Sequence, residues 1–301
     1  MATDHISAKI FNQRHAQYDN YIPFSALTYL SQDAEGQAQT NGCSKLLHMI
    51  AANAAVCDIE DRIARNPEEV RALSSQKWTA LHMVCVCAQL ESIRATLAVI
   101  ARILIRAGAD VDAQDAEGFT PLMRVVHLSV SSELFDILMA NRCNVNLKNN
   151  KGLTALHLYY HGGGMSYTHA QSILDAGFDI NITTTDGRTV LIVLIECYKR
   201  HGCNDSRRGL VRHIREIIDR GIDVNAQNAD GDTALHMVAN SDADLSHVLL
   251  YNKANPRILN NKGRLPFERC QPDSPRDDEA IELSVKSQET DKLAHNSCSL
   301  L

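Results

Sequence analysis

The stretch GIDVNAQNADGDTALH, from Gly221 to His236, contains the signals that decide the fold. Gly221 follows an apolar run and suits a left-handed helix stop, which glycine adopts at little cost. After a short extended piece at Asp223-Val224-Asn225, the residues Ala229-Asp230-Gly231 predict a tight turn. Thr233 then suits the position before a helix, where its hydroxyl can accept a hydrogen bond from an unpaired backbone N–H. The stretch therefore predicts a joint between two pairs of helices.

The same order of residues recurs along the chain. Similar joints span residues 108–122, 144–157 and 177–191. Asn141 and Asn252 stand where other repeats have the glycine of the helix stop. We expect helix stops there too, because asparagine also tolerates the left-handed conformation. Recurrence at a fixed period indicates a repeat architecture. We therefore expect units that contact only their neighbours, without one central core.

These motifs resemble the ankyrin repeat, which opens on a G-x-T-P-L-H motif and closes on G-A-D-V-N-A. The residues Gly118-Phe119-Thr120-Pro121-Leu122 and Gly108-Ala109-Asp110-Val111-Asp112-Ala113 show the likeness. The resemblance covers roughly residues 43–271. It implies an all-α solenoid of stacked helix pairs with short β-hairpin loops. It also implies a non-enzymatic module that binds other proteins.

The spacing of the repeats sets the expected boundaries. Threonines that open successive full repeats are separated by 41, 34, 35 and 44 residues. Because a standard unit has about 33 residues, the first and fourth full repeats contain insertions, and we expect the second insertion to form a loop around residues 199–208. An N-terminal extension of helix and linker (1–42) precedes the repeat domain (43–271), and a flexible acidic tail (272–301) follows it. The expected units are a degenerate first repeat 43–75, the repeats 76–115, 116–149, 150–184, 185–228 and 229–260, and a truncated cap 261–271.

Charge and cysteine content narrow the class of protein. The 301 residues have a net charge of −6, so nucleic acid is not an expected partner. The nine cysteines lack paired spacing, and residues 1–17 lack an apolar signal core. These features predict a reducing, intracellular location, cytoplasmic or nuclear. We expect a monomer.

Histidines at matching helix positions raise the question of a metal site. In the ankyrin family this histidine has a structural role, bonding across the junction of helix and hairpin. Successive copies would lie about 10 Å apart, too far to share an ion bound at ~2 Å. We find no motif of a hydrolase, a P-loop or a zinc protease. The sequence therefore predicts no enzyme, cofactor or metal ion, and the four histidines are His48, His82, His157 and His236.

The candidate binding residues stand just before each opening threonine. In ankyrin stacks the residue at this position projects into a concave groove. The candidates are Trp78, Phe119, Leu153, Arg188 and Asp232. Three further residues are expected to flank them, namely Val86, His127 and His161. The first three would form an apolar patch that binds a partner protein. The alternative is that these side chains pack against the neighbouring hairpin.

Three segments suggest further roles. Cys298-Ser299-Leu300-Leu301 resembles a CaaX box, which implies geranylgeranylation of Cys298 and a membrane-associated adaptor. One lipid chain without a polybasic segment anchors weakly. Residues 21–30 faintly resemble the opening of an F-box, which implies a substrate receptor of a ubiquitin ligase; the alternative, which we favour, is a helix that packs on the first repeat. Asparagines at one hairpin position match those that some ankyrin proteins hydroxylate, and they are Asn146, Asn181 and Asn225.

Overall fold

A computed structural model of the chain describes residues 45–128, 131–162, 167–200 and 204–268. Within these ranges the secondary structure is helical, and one isolated antiparallel bridge joins Thr183 and Thr189. Short 3₁₀ helices span Pro67–Arg71 and Glu91–Ile93. The α-helices are α1 (Lys45–Ala51), α2 (Val56–Arg65), α3 (Ala80–Cys87), α4 (Arg94–Arg106), α5 (Pro121–Leu128), α6 (Ser132–Ala140), α7 (Ala155–His161), α8 (Tyr167–Asp175), α9 (Val190–Arg200), α10 (Asn204–Asp219), α11 (Ala234–Val238) and α12 (Ala243–Tyr251).

The helices belong to two compact units. The described residues up to Ala116, with residues 131–137, form the first unit, and the others form the second. In the first unit α1 packs on α2 and α3 packs on α4, and the two pairs stack through α1 on α3 and α2 on α4. Leu46, Leu81 and Leu104 are fully buried between them.

The second unit repeats one arrangement. The inner helices α5, α7, α9 and α11 pack side by side in chain order. The outer helices α8, α10 and α12 each pack on the inner helix that precedes them. Apolar residues of both layers are buried, as Leu156 and Ile214 show. The predicted all-α solenoid of stacked helix pairs is confirmed.

Helix starts follow the predicted chemistry. The Thr154 hydroxyl accepts the His157 backbone N–H, and the Thr154 N–H donates to His157 Nδ1 at 3.4 Å. The same reciprocal cap opens α3 at Thr79 and α11 at Thr233. Each cap satisfies backbone donors that have no partner inside the helix.

Helix stops confirm the prediction at Gly221, where φ is +89°, but not at Asn141 and Asn252. The left-handed residues there are Arg142 (φ +55°) and Lys253 (φ +69°), one position later. The register is fixed by the next N–H, since Ala254 donates to Leu249 O at 3.0 Å. The residue before that donor must therefore adopt the left-handed backbone conformation, whatever side chain it carries.

Two other local predictions were wrong. The expected loop at 199–208 is largely helical, because α9 runs to Arg200 and α10 begins at Asn204. The 16 residues of α10 bury Leu210 and Ile214 at helical spacing, so the insertion lengthens the helix. The piece expected to be extended at residues 223–225 is a turn, since Asn225 N–H donates to the Asp223 carboxylate at 2.9 Å.

Candidate protein-interaction surface

Hairpins of the second unit hold the candidate residues in equivalent places. Leu153 O accepts the Asn149 N–H at 2.9 Å, and Leu153 N–H donates to Asn149 Oδ1 at 2.9 Å. The same two bonds join Thr184 to Arg188 and Asn228 to Asp232. The backbone N–H and C=O of the candidate residue are therefore held by the same two hydrogen bonds in each of these repeats.

The sequence prediction missed the residues that close these hairpins. Each lies four positions before a candidate residue or, in the last hairpin, before Arg264, and its side chain accepts the N–H of that residue. The residue types vary because a hydroxyl and an amide oxygen can both serve as the acceptor. A short polar side chain at this offset was the available signal, and the closing residues are Ser74, Asn149, Thr184, Asn228 and Asn260.

Backbone hydrogen bonds also join each hairpin to the next. Thr185 N–H donates to Lys151 O at 3.1 Å, and Ala229 N–H donates to Asp186 O at 2.9 Å. Asn261 N–H donates to the carbonyl of Asp230 at 3.0 Å. The loops are thus bonded to their neighbours, which makes the hairpin edge a continuous joint.

Asn146 and Asn225 form a second link between repeats. Asn146 Oδ1 accepts the Asp179 N–H at 2.8 Å, and its Nδ2 donates to Gly177 O at 2.9 Å. Asn225 bonds Asn255 N–H and Lys253 O in the same way, at 2.7 and 3.2 Å. These asparagines bridge one hairpin to the helix stop of the next repeat. Hydroxylation at this position stays a prediction.

Asn181 makes the corresponding contact in the repeat between them. Its Oδ1 accepts the Asp223 N–H at 3.0 Å. One amide in each of three repeats therefore receives the N–H of the repeat that follows.

Phe119 does not project as expected. Its residue is 8% exposed. The Arg124 guanidinium lies 4.2 Å from the ring centroid, and the His127 ring makes an edge contact at 5.8 Å. Arg124 is itself buried and pairs with Glu117 at 2.8 Å. For Phe119 the packing alternative therefore describes the structure.

The other apolar candidates are half-buried. In the second unit Leu153 retains partial exposure at the end of its hairpin. In the first unit Trp78 and Val86 are half-buried as well, and Trp78 N–H donates to the Ser74 hydroxyl at 3.0 Å. Each unit therefore offers an apolar side chain at the position expected for binding.

Arg188 and Asp232 make intramolecular polar contacts. Arg188 pairs with Asp186 at 2.7 Å and with Glu196 at 3.2 Å. Burial opposes ionisation of Asp186, but the Thr184 hydroxyl and the Arg188 charge together lower the pKa of this carboxyl. Asp232 Oδ1 accepts from Asn260 Nδ2 at 2.7 Å. Both charged candidates are held in place before any partner arrives.

The two flanking histidines of the second unit differ in their contacts. Both His127 and His161 are half-buried. His127 meets Phe119, whereas the His161 carbonyl accepts from Arg200 Nη2 at 3.1 Å. His161 ends α7 and is thereby linked to the end of α9.

The repeated histidines have a structural place. His157 is fully buried, and burial lowers its pKa to about 4. His236 Nδ1 lies 2.9 Å from the Thr233 hydroxyl, and its Nε2 lies 3.1 Å from Arg264 O in the next hairpin. The His236 ring thus links its own helix start to the next hairpin. Among the described residues no three His, Cys, Asp or Glu side chains are grouped so that they could hold a metal ion.

A further buried histidine joins two repeats of the second unit. His213 Nδ1 lies 3.0 Å from the Tyr160 hydroxyl. The ring also makes edge contacts with Tyr160 and Tyr167, at 5.5 and 5.3 Å. Burial lowers the pKa of His213, so the neutral form is favoured in this contact between α7 and α10.

Several predictions fall outside the described residues. Residues 21–30, the tail 272–301 and Cys298 are among them, so the F-box and CaaX readings stay predictions. Within the described ranges, none of the helices combines the length and the hydrophobicity needed to cross a bilayer.

Comparison with known proteins agrees with this geometry. The family model described as ankyrin repeats in many copies matches residues 104–158, and the single ankyrin repeat model matches 76–116 and 230–261. No curated protein sequence matches the chain. Among solved structures, the ankyrin repeat domain of Bcl-3, described as a unique member of the IkappaB protein family, is similar at 22% identity and a TM-score of 0.60. That match covers 75% of this chain and 93% of the Bcl-3 domain.

At this identity the Bcl-3 likeness shows the fold alone. Ankyrin repeats in general are modules of protein–protein interaction, and the fold is typically non-enzymatic. The repeated joints, the family models and the fold together show that this chain is an ankyrin repeat protein.

Proposed function

We propose that the chain is a non-enzymatic scaffold or adaptor that binds a partner protein through its hairpins and inner helices. The observation that supports this most is the equivalent placement of Leu153, Arg188 and Asp232 on three hydrogen-bonded hairpins. A surface ordered before binding loses little conformational entropy on association. The proposal assigns recognition to the side chains and rigidity to the joints.

The chemistry of this surface changes along the second unit. Leu153 supplies an apolar contact, and Arg188 and Asp232 supply opposite charges on the two hairpins that follow. A matching partner would place an apolar side chain near Leu153 and a charged or polar pair beyond it. In the first unit, Trp78 is the candidate anchor because tryptophan is enriched among residues that dominate binding energy.

Quantitative affinity purification from lysate, with the intact chain as bait, tests the proposal. Trp78→Ala and Leu153→Ala should each lower recovery of the same partner at least about fivefold. Matched controls are Val99→Ala and Tyr251→Ala, which remove exposed apolar side chains from outer helices α4 and α12. These controls should leave recovery unchanged.

Thermal unfolding of each variant separates binding from packing. If Trp78→Ala and Leu153→Ala lower the melting temperature but leave partner recovery unchanged, the side chains serve packing and the proposal is wrong for them. Recovery that falls equally in the controls would place the binding surface elsewhere.

The motif Cys298-Ser299-Leu300-Leu301 supports an alternative in which the scaffold is also anchored to a membrane by a geranylgeranyl group. Intact mass measurement of protein from eukaryotic cells should show the added lipid and loss of the last three residues. A free Cys298 thiol in that sample would exclude this form. Ligase subunits recovered with the bait would instead favour a substrate receptor docked through residues 21–30.

A further inference from the structure

The end of α9 and the start of α10 are rich in positive charge. Residues 199–208, KRHGCNDSRR, contain four Lys or Arg and one Asp, in a chain whose net charge is −6. Lys199 and Arg200 end α9 and are exposed. Arg212, on α10, is also exposed, and its guanidinium lies 3.8 Å from the Tyr167 ring centroid. We call Lys199, Arg200 and Arg212 the basic end.

Two carboxylates on the same helices are already paired with other arginines. Glu196 accepts from Arg188 at 3.2 Å, and Glu216 accepts from Arg220 at 2.7 Å. Asp175 also pairs with Arg220, at 2.5 Å.

Lys199 and Arg200 donate to neutral backbone carbonyls, and Arg212 lies over the ring of Tyr167. Lys199 Nζ donates to Met237 O at 3.0 Å, and Arg200 Nη2 donates to His161 O at 3.1 Å. A carbonyl positions a cation without cancelling its net charge. The basic end is thus positioned and retains positive charge.

An acidic segment follows shortly after the last described residue. Residues 273–282, DSPRDDEAIE, contain five Asp or Glu and one Arg. Its excess negative charge complements the positive excess of residues 199–208.

The two segments are within reach of each other. Lys199 Nζ donates to Met237 O, and Asn240 Nδ2, three residues further along in the turn after α11, donates to Pro266 O at 3.3 Å. Pro266 is therefore on the order of 15 Å from the basic end. Residues 265–268 form a turn, in which Glu268 N–H donates to Leu265 O at 3.1 Å. The five residues from Glu268 to Asp273 can span up to ~17 Å, so the carboxylates of the acidic segment can reach Lys199.

We propose that the acidic segment Asp273–Glu282 docks on the basic end of α9 and α10 in the same chain. Several charge pairs would form, each weak and salt-sensitive at the surface. The short tether raises the effective concentration of the segment to the millimolar range. An acidic segment of another protein would have to displace it to use the same surface.

Carbodiimide cross-linking of the full chain, followed by mass spectrometry, tests the contact. This reagent joins a lysine directly to a carboxylate with which it is paired. At low salt, Lys199 should link to carboxylates of Asp273–Glu282 more often than Lys253 or Lys262 does. Raising NaCl to about 0.5 M should lower the Lys199 links at least about fivefold, because screening weakens exposed pairs.

A variant that keeps the reacting lysine tests the charge. R200Q/R212Q should lower the Lys199 links at least about threefold at low salt. The matched control K148Q/K151Q removes two exposed lysines from a hairpin and should leave the number of Lys199 links unchanged. The proposal is overturned if R200Q/R212Q, folded by circular dichroism, keeps the Lys199 links. It is also overturned if links in the wild-type chain do not respond to salt or favour Lys253 and Lys262.

Discussion

The repeat that spans residues 150–184 reverses direction twice through a left-handed residue, and the two places differ. Gly152, in the hairpin turn, has φ +73°, and Gly177, at the helix stop, has φ +88°. A Cβ built on Gly152 would lie 2.6 Å from Thr185 N, whereas one on Gly177 would meet nothing within 4 Å. The turn is thus closed by the next repeat, and the helix stop is open.

The residue types at equivalent positions of other repeats can be compared with this difference. The open helix stop carries Arg142 and Lys253 in other repeats, both left-handed. In the first unit Lys77 occupies the turn at φ +59°, so backbone conformation alone does not exclude a side chain there. At Gly152 the approach of the next hairpin therefore adds a steric requirement for glycine that the helix stop at Gly177 lacks.

The largest expected effect is that of Gly152→Ala. It adds a clash with the Thr185 backbone to the cost of a left-handed alanine, so the free energy of unfolding should fall by at least about 3 kcal/mol. Gly177→Ala has only the conformational cost and should lose about 1 kcal/mol. Urea denaturation of both variants measures the gap, and equal losses would break the comparison.

Acidification should weaken the same closed joint through His157. Burial lowers the pKa of His157 in the folded chain to about 4, below the ordinary 6.5. Because the folded pKa is depressed, this contribution to stability is fully present above pH 6.5 and is lost as pH falls towards 4. The loss should reach up to ~3 kcal/mol.

Urea denaturation at several pH values between 7.5 and 4.5 measures this loss. In His157→Gln the new side chain can still accept the Thr154 backbone N–H at the start of the helix, but it has no group that titrates in this pH range. Its stability should therefore fall less over the same range. If the wild-type chain and His157→Gln respond to pH alike, His157 is not the group that senses it.

The open helix stop should depend on the Asn225 amide instead of on tight packing. Asn225→Ala removes the bonds to Lys253 O and Asn255 N–H, and we expect a loss of about 1 kcal/mol. Asn225→Asp keeps the acceptor and loses the donor, so its loss should be smaller. Thermal unfolding compares the two, and a larger loss for the aspartate would contradict the geometry.

The smallest expected effect is a gain at Lys253. Lys253→Gly relieves a left-handed side chain but makes the unfolded chain more flexible, so we expect a net gain of about 0.5 kcal/mol. Lys262→Gly is the control, because Lys262 is exposed without positive φ. The control should gain nothing, and an equal gain in both variants would count against the assignment of strain to Lys253.

Local chemistry explains what could be predicted from the sequence. Thr233 and Gly221 act through hydrogen bonds and backbone angles within a few residues, and both predictions are confirmed. The left-handed helix stop was predicted at Asn252 but lies one residue later, at Lys253. The hydrogen bond from Ala254 N–H to Leu249 O, not the residue type, sets its position. The prediction of a loop at residues 199–208 was wrong because residues 199–200 end one amphipathic helix and residues 204–208 begin another.

The candidate site was less predictable than the fold. Phe119 stands at the same position of its repeat as Leu153, yet its ring is covered by Arg124 and His127. That burial follows from side chains on the next helix, which the repeat motif does not specify. Exposure of a candidate residue therefore has to be read from the packing around it, while its place on the hairpin follows from the motif.

Native-state hydrogen exchange at the amides of Thr185, Ala229 and Asn261 tests the central claim that hairpin edges are bonded joints between repeats. These amides lie in loops, yet each donates to a turn carbonyl of the preceding hairpin. We expect each to exchange at least about 100-fold more slowly than an unstructured amide. Exchange at the unstructured rate, with helix amides of the same repeats protected, would contradict the claim.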